Sequence, residues 1–205
     1  MVKALINQFA ENTYIVVEKK EAVIIDPGAS LEEIKEYITT NDLTLKYVLL
    51  THGHVDHIIC VNDLIAEYDI DVYIHELERD FLFDPNLNLS GTMYQKIIVQ
   101  SKKNVKSFKD GSIFMLGDKE IVVLHTPGHT RGSSCFSYKR VVFVGDTIFT
   151  DGVGRTDLPT GSNVKLEESI NKLLNHYGDN TILNSGHGKH TTVLTQKNRN
   201  PYYHG

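Results

Sequence analysis

The feature that most constrains this chain is the segment His52–His57, which crowds four potential metal ligands into six positions. These ligands are His52, His54, Asp56 and His57, and they directly follow the apolar run 47–51. A short apolar run bounded by polar residues predicts a buried strand. Because side chains alternate along an extended backbone, His52 and His54 point to the same side. The fold must therefore end a buried strand in a turn that opens into a ligand-lined cleft.

Three later segments repeat this setting, each with one ligand beside glycine at the end of a predicted strand. They are Gly128-His129-Thr130, Gly145-Asp146-Thr147 and Ser185-Gly186-His187-Gly188. Glycine permits tight turns, and strand ends are rigid anchors for side chains. The seven ligands suit two adjacent metal ions and hydrolytic chemistry. Histidine and carboxylate ligands suit zinc, iron or manganese, and the lack of cysteine in these segments excludes a Cys-rich structural zinc site.

Composition narrows the class of protein. The 205 residues are 40% hydrophobic and 23% charged, which predicts a single globular domain over residues 1–205. A net charge of −5 argues against a nucleic-acid partner or an anionic membrane surface. The N-terminus has no signal-peptide pattern, and Cys60 and Cys135 are too isolated for a disulfide framework. We therefore expect a cytoplasmic protein that acts on a small molecule, with the oligomeric state left open.

Hydrophobic periodicity predicts a mixed α/β chain. Strands are expected at 3–7, 13–17, 22–26, 45–51, 71–75, 112–116, 120–125, 133–138, 140–144 and 181–184. Helices are expected after a capping box formed by Ser30 and Glu33, along 58–65, over 76–83 and over 164–177. Residues 84–104 contain turn residues and predict a long loop.

The motifs resemble those of a known family. Thr51-His52-Gly53-His54-Val55-Asp56-His57 resembles the signature of the metallo-β-lactamase superfamily, and Ile25-Asp26-Pro27-Gly28 and the three later ligand segments match its other motifs in order. Gly154-Arg155-Thr156-Asp157-Leu158-Pro159 and Asn200-Pro201-Tyr202 resemble the glyoxalase II-like (hydroxyacylglutathione hydrolase-like) subgroup. Only eighteen residues follow His187, so the C-terminal helical region that binds glutathione in that subgroup is expected to be missing.

The resemblance implies a fold and a set of roles. The fold would be a four-layer αββα sandwich of two mixed β-sheets flanked by helices. One metal ion would be held by His52, His54 and His129, a second by Asp56, His57 and His187, with Asp146 bridging both. Asp26 would orient a ligand histidine, and Asp56 would also orient or deprotonate the reactive water.

The leading hypothesis is a binuclear hydrolase that cleaves thioesters with a metal-bridging hydroxide. Two divalent ions are expected, with zinc first and iron or manganese as alternatives. Because thiols have a pKa near ~8.5, a thiolate can leave without a dedicated general acid. Lys189 and Arg199 are candidates for a basic substrate rim, together with His190 and Lys197. The alternative is a persulfide dioxygenase of the same superfamily, which would use one iron held by two histidines and one aspartate.

Overall fold

The computed structural model describes residues 1–205, which form two six-stranded β-sheets with helices on their outer faces. The strands are β1 (Val2–Ile6), β2 (Asn12–Glu18), β3 (Glu21–Ile25), β4 (Thr44–Leu49), β5 (Asp71–His75), β6 (Val105–Phe108), β7 (Ile113–Leu116), β8 (Lys119–His125), β9 (Ser134–Tyr138), β10 (Val141–Gly145), β11 (Ile148–Phe149), β12 (Gly152–Val153), β13 (Ile182–Ser185) and β14 (Thr191–Thr192). The α-helices are α1 (Leu31–Thr40), α2 (Val55–Ile58), α3 (Val61–Tyr68), α4 (Asn163–His176) and α5 (Val193–Arg199). Two 3-10 helices span Glu76–Leu82 and Ser90–Thr92.

Both large sheets are mixed. The first has the strand order β1-β2-β3-β4-β5-β6, antiparallel among β1 to β3 and parallel from β3 to β6. The second has the order β14-β13-β10-β9-β8-β7, and only the β10–β13 pair is parallel. Strands β11 and β12 form a separate small hairpin. The predicted four-layer αββα sandwich is confirmed.

Three hydrophobic clusters hold the layers together, because successive side chains on a strand face opposite sides. On β2, Ile15 packs toward helices α1 and α3, whereas Tyr14 and Val16 pack between the two sheets. The centre between the sheets is filled by large rings such as Phe136 and Phe143. A third cluster packs α4 and α5 against the second sheet. Burial of these faces, at roughly 25 cal/mol per Å² of apolar surface, drives the stacking.

The boundaries of several elements follow local signals. Ser30 caps α1, and its hydroxyl and the Glu33 carboxylate form the predicted capping box. The helix expected after the ligand cluster is divided into α2 and α3, because the Cys60 backbone N–H leaves the helix to donate to the carbonyl of Pro27. The segment predicted as a short helix at 76–83 is a 3-10 helix.

Among the elements that were not predicted, β6 and α5 depend on tertiary partners. Strand β6 is only four residues long and lies next to a lysine-rich stretch, so its pairing with β5 is what makes it a strand. Helix α5 is short, and it depends on burial of Val193 and Gln196. No helix combines the length and the apolarity that crossing a bilayer requires. Cys60 and Cys135 are both buried free thiols.

Candidate metal centre

The predicted ligands converge at one end of the sandwich, where strands from both sheets finish. His52 follows β4 of the first sheet, while Asp146 follows β10 and His187 follows β13 of the second. His129 lies in the turn after β8. Since the sheets are stacked, these four strand ends meet over the inter-sheet core, and side chains far apart in sequence share one cleft.

The first group of ligands, here called the first trio, consists of His52, His54 and His129. Their candidate ligand atoms lie within 4.8 Å of one another, and all three side chains are buried. His54 Nδ1 lies 2.9 Å from His129 Nε2. The extended backbone at 52–54 turns both imidazoles to the same side, as the alternation predicts.

The second group, here called the second trio, consists of Asp56, His57 and His187, which also lie within 4.8 Å of one another. Asp146 lies between the two trios. Its carboxylate oxygens are 3.4 Å from His57 Nε2, 3.6 Å from His129 Nε2 and 3.7 Å from His187 Nε2. The structure therefore brings together all seven residues that the sequence singled out.

This donor set fits a metal ion. The Nε2 atoms of His52, His54 and His57 and the Oδ1 atom of Asp146 are buried and have no hydrogen-bond partner. Buried polar atoms are nearly always paired, so four unpaired atoms within one cluster of side chains need a further explanation. Imidazole nitrogens and a carboxylate oxygen with free lone pairs supply what a divalent cation requires.

The two trios differ in charge. Burial lowers the pKa of all three histidines in the first trio, to about 3 for His54, so they are neutral and ready to bind metal. Burial also disfavours the charged form of His57, but the carboxylates of Asp56, Asp146 and Asp26 outweigh it and raise the His57 pKa well above its usual value. The pKa of His187 is raised for the same reason, chiefly by its hydrogen bond to Asp56. The carboxylates around the second trio therefore favour the protonated forms of its two histidines, whereas burial favours the neutral forms in the first trio.

Asp26 forms a hydrogen bond with His57 of the second trio. Its Oδ2 atom lies 3.0 Å from His57 Nδ1 and accepts a hydrogen bond from the Thr51 hydroxyl at 2.6 Å. Its Oδ1 atom accepts the Thr51 backbone N–H at 2.7 Å. A carboxylate has no proton to donate, so His57 Nδ1 must be the donor, and the Nε2 lone pair is thereby aimed at the cleft.

Two buried glutamates near the site were missed by the sequence analysis. Glu11 is fully buried with Oε1 4.0 Å from His57 Nδ1, and burial raises its pKa to about 9. Glu78 is fully buried and accepts backbone N–H groups from Gly53 and Gly132, which ties together the turns that carry the first trio. Neither residue has a sequence signal, because an isolated glutamate is usually a surface residue.

The expected basic rim is only partly at the site. Lys189 is exposed and borders a cleft that also includes His187 and Asp151. Arg199 lines neither this cleft nor the adjacent cleft that is lined by Asp56, His129 and Asp146. Lys197 is engaged at 2.8 Å by Asp179.

This layout matches a known family. A model of the metallo-beta-lactamase superfamily matches residues 6–183. The chain belongs to the metallo-β-lactamase superfamily. Members of this superfamily are metal-dependent enzymes, in agreement with the histidine-rich cluster of this chain.

Relatives of this superfamily member cover nearly its whole length. It is 36% identical to the probable metallo-hydrolase YqgX of Bacillus subtilis, over 95% of this chain and 92% of the relative. It is 32% identical to the hydroxyacylglutathione hydrolase GloC of Haemophilus influenzae, over 96% of this chain and 94% of the relative. Among solved structures, the B3 metallo-beta-lactamase BLEG-1 has a TM-score of 0.91 at 36% identity and covers both chains fully. TTHA1623 in a di-iron-bound form has a TM-score of 0.85 at 31% identity, and the match covers 98% of this chain and 99% of TTHA1623.

Proposed function

We propose that this superfamily member is a binuclear hydrolase of thioesters. The observation that carries the proposal is the presence of two ligand trios with Asp146 between them, in which the buried Nε2 atoms of His52 and His57 and the Oδ1 atom of Asp146 lack any hydrogen-bond partner. The similarity to GloC, whose name states a thioester hydrolase activity, supports the reaction class. In this assignment the first trio holds one ion, the second trio holds the other, and Asp146 contributes to both.

Two divalent ions in this cluster would lower the pKa of a water from about 15.7 toward ~7 and polarise the substrate carbonyl. Zinc is our first choice, and the di-iron form of TTHA1623 keeps iron in consideration. Hydrolysis adds the water oxygen to the acyl carbon and breaks the carbon–sulfur bond. The thiol leaves as a thiolate, since its pKa near ~8.5 makes protonation unnecessary.

Asp56 is suited to the proton in this reaction. It is the carboxylate of the second trio, it lines the open cleft, and 22% of its side chain is exposed. Burial alone would raise its pKa, but His57 and the hydrogen bond from His187 outweigh burial and lower it, so the carboxylate is ionised at neutral pH. It can therefore orient the attacking water and accept its proton.

The proposal is tested by loading metal-free protein with zinc, iron or manganese and measuring the metal content and the thiol released from S-lactoylglutathione and S-acetyl-N-acetylcysteamine. We expect two ions per chain and release of thiol. His187→Ala should lose one ion and at least about 100-fold in turnover. His176→Ala, at the exposed C-terminal end of α4, is the matched control and should behave as wild type, because His176 lies outside both trios.

The dioxygenase alternative predicts a different result. One iron per chain, with oxygen uptake on a glutathione persulfide and no thiol release from either thioester, would refute the hydrolase proposal. Asp56→Asn tests the role of the carboxylate separately. If that variant kept both its metal content and its turnover, Asp56 would have no part in the reaction.

A further inference from the structure

The cleft above the ligand cluster has apolar walls. Its volume is about 360 Å³, and the side chains that line it beyond the ligands include Leu89, Phe149, Val153 and Leu158. This volume lies near the lower end of the ~300–1,000 Å³ of typical small-molecule sites. A group that reaches the carbonyl position must therefore pass between aliphatic and aromatic surfaces, which favour apolar substituents.

One wall is held rigidly. Leu89 has a positive φ of 69°, a conformation that a leucine adopts only where its surroundings hold it. The preceding Asn88 is fully buried, and its amide donates to the carbonyls of Phe81 and Ile97 at 3.0 and 2.9 Å. Its own carbonyl accepts the Val55 N–H at 2.9 Å, which ties this loop to the helix that carries Asp56. Leu89 is thus fixed relative to the ligands.

The cleft also lacks an available cation. Arg155 is the only lysine or arginine among its lining residues, and its guanidinium donates two hydrogen bonds of 2.7 Å to the Asp157 carboxylate. The backbone carbonyl of Arg155 contacts His129 Nδ1 at 2.8 Å, so this segment is anchored to the first trio. Lys189 lines the neighbouring cleft, beside His187, and is not among the residues that line this one. Among the residues that line this cleft, an anionic substrate tail would therefore find no unpaired lysine or arginine.

We infer that the cleft selects small thioesters in which both the acyl group and the thiol are uncharged, with an apolar acyl chain lying against Leu89 and Phe149. The inference rests on the proposed hydrolase function and names its substrate class. The reaction is unchanged: water supplies the new carbon–oxygen bond, the carbon–sulfur bond breaks, and the thiolate that leaves is protonated in solution. The products are a carboxylate, a neutral thiol and one proton. Glutathione thioesters, which carry two carboxylates on the thiol, are poor substrates in this assignment.

The test compares four substrates on the metal-loaded, full-length protein. Acetyl and butanoyl groups are each carried by N-acetylcysteamine or by glutathione, and kcat/KM is measured for all four. Burial of two additional methylenes corresponds to a gain of about tenfold, so kcat/KM for the butanoyl thioester should exceed that for the acetyl thioester by this factor. The uncharged thiol should exceed glutathione by at least about tenfold, because the cleft offers the carboxylates no partner.

Two variants link these ratios to the named residues. Leu89→Ala should reduce the butanoyl-to-acetyl ratio severalfold, whereas Leu194→Ala, an exposed leucine on α5, should leave it unchanged. Asp157→Asn frees the Arg155 guanidinium and should shift the ratio of the two thiols toward glutathione. The matched control Asp118→Asn removes an exposed aspartate far from the cleft and should not shift it.

The outcomes separate this inference from the function on which it rests. Equal or faster hydrolysis of the glutathione thioesters, or no preference for butanoyl, would overturn the inference and leave the hydrolase proposal standing. If loaded protein released thiol from none of the four substrates, both would be wrong.

Discussion

The Asp26–His57 hydrogen bond allows a prediction in which one atom is exchanged. In Asp26→Asn, an amide NH₂ replaces one carboxylate oxygen. If the NH₂ took the Oδ1 position it would face the Thr51 N–H, which is also a donor, so the amide oxygen must stay there. The NH₂ then faces the Thr51 hydroxyl, which can rotate to accept, and His57 Nδ1, which must become an acceptor. The imidazole proton moves to Nε2, the nitrogen that faces the cleft.

This tautomer change sets the expected magnitude. Above the pKa of His57, a metal ion at the second trio must displace a proton from Nε2 in this variant but not in the wild type. It also loses the negative charge that supports the ring. Removal of such a supporting group costs about 10–100-fold in metal affinity, or about 1.4–2.7 kcal/mol. The first trio does not contact Asp26 directly. Its hydrogen-bonded link is the Thr51 hydroxyl, which lies 3.1 Å from His52 Nδ1, so the first trio should lose less affinity than the second. Competition titration of metal-free protein against a chromophoric chelator resolves the two binding steps.

Asp42 provides a control for any effect of the substitution on the backbone. Asp26 and Asp42 both have a φ of 52°, and asparagine tolerates this left-handed conformation as well as aspartate does. Asp42 is 91% exposed and pairs only with Lys20 at the surface, so Asp42→Asn should bind metal as wild type does. If Asp26→Asn changed neither binding step by more than about threefold, the reasoning from tautomer to ligand would be refuted.

Three further predictions concern pH, a buried acid and a close contact. The pKa values of His57 and His187 are raised and those of the first trio are lowered, so protons compete with metal at the second trio up to a higher pH. Lowering the pH should therefore release the ion of the second trio first. Metal titrations at several pH values would detect this order. Burial raises the pKa of Glu78 from 4.5 to about 7, so the native state keeps a proton that the unfolded chain loses. The resulting stability is present below pH 4.5 and is lost as the pH rises through about 7. Across this range, the free energy of unfolding in urea should fall by about 3 kcal/mol more in the wild type than in Glu78→Gln. Parallel curves of unfolding free energy against pH would contradict the prediction. In Gly186→Ala, the new Cβ would lie 2.3 Å from Asp146 Oδ1 and 2.7 Å from His57 Cε1; metal affinity should fall at least about tenfold, and unchanged metal binding would count against the close approach.

The accuracy of the sequence-based predictions depended on how local each signal was. The capping box of Ser30 and Glu33 involves neighbours three residues apart, and it forms as expected. Strand β6 and helix α5 were missed because pairing with β5 and burial against the second sheet stabilise them, and a short polar segment carries no sign of such partners. The break between α2 and α3 likewise depends on a distant carbonyl, that of Pro27.

The same distinction applies to the site. The identity, the order and the strand-end setting of the seven ligands are written in the chain, because glycine-flanked ligands after apolar runs are a local pattern. Three features were decided only by the tertiary structure. Glu11 and Glu78 become buried partners of the ligand segments, and Leu89 becomes a wall of the cleft. Asp26 was expected to orient a ligand histidine, and the tertiary structure decides that this histidine is His57, 31 positions away. Each of these depends on how the two sheets and their loops are stacked, and stacking joins residues whose separation in sequence carries no periodic signal.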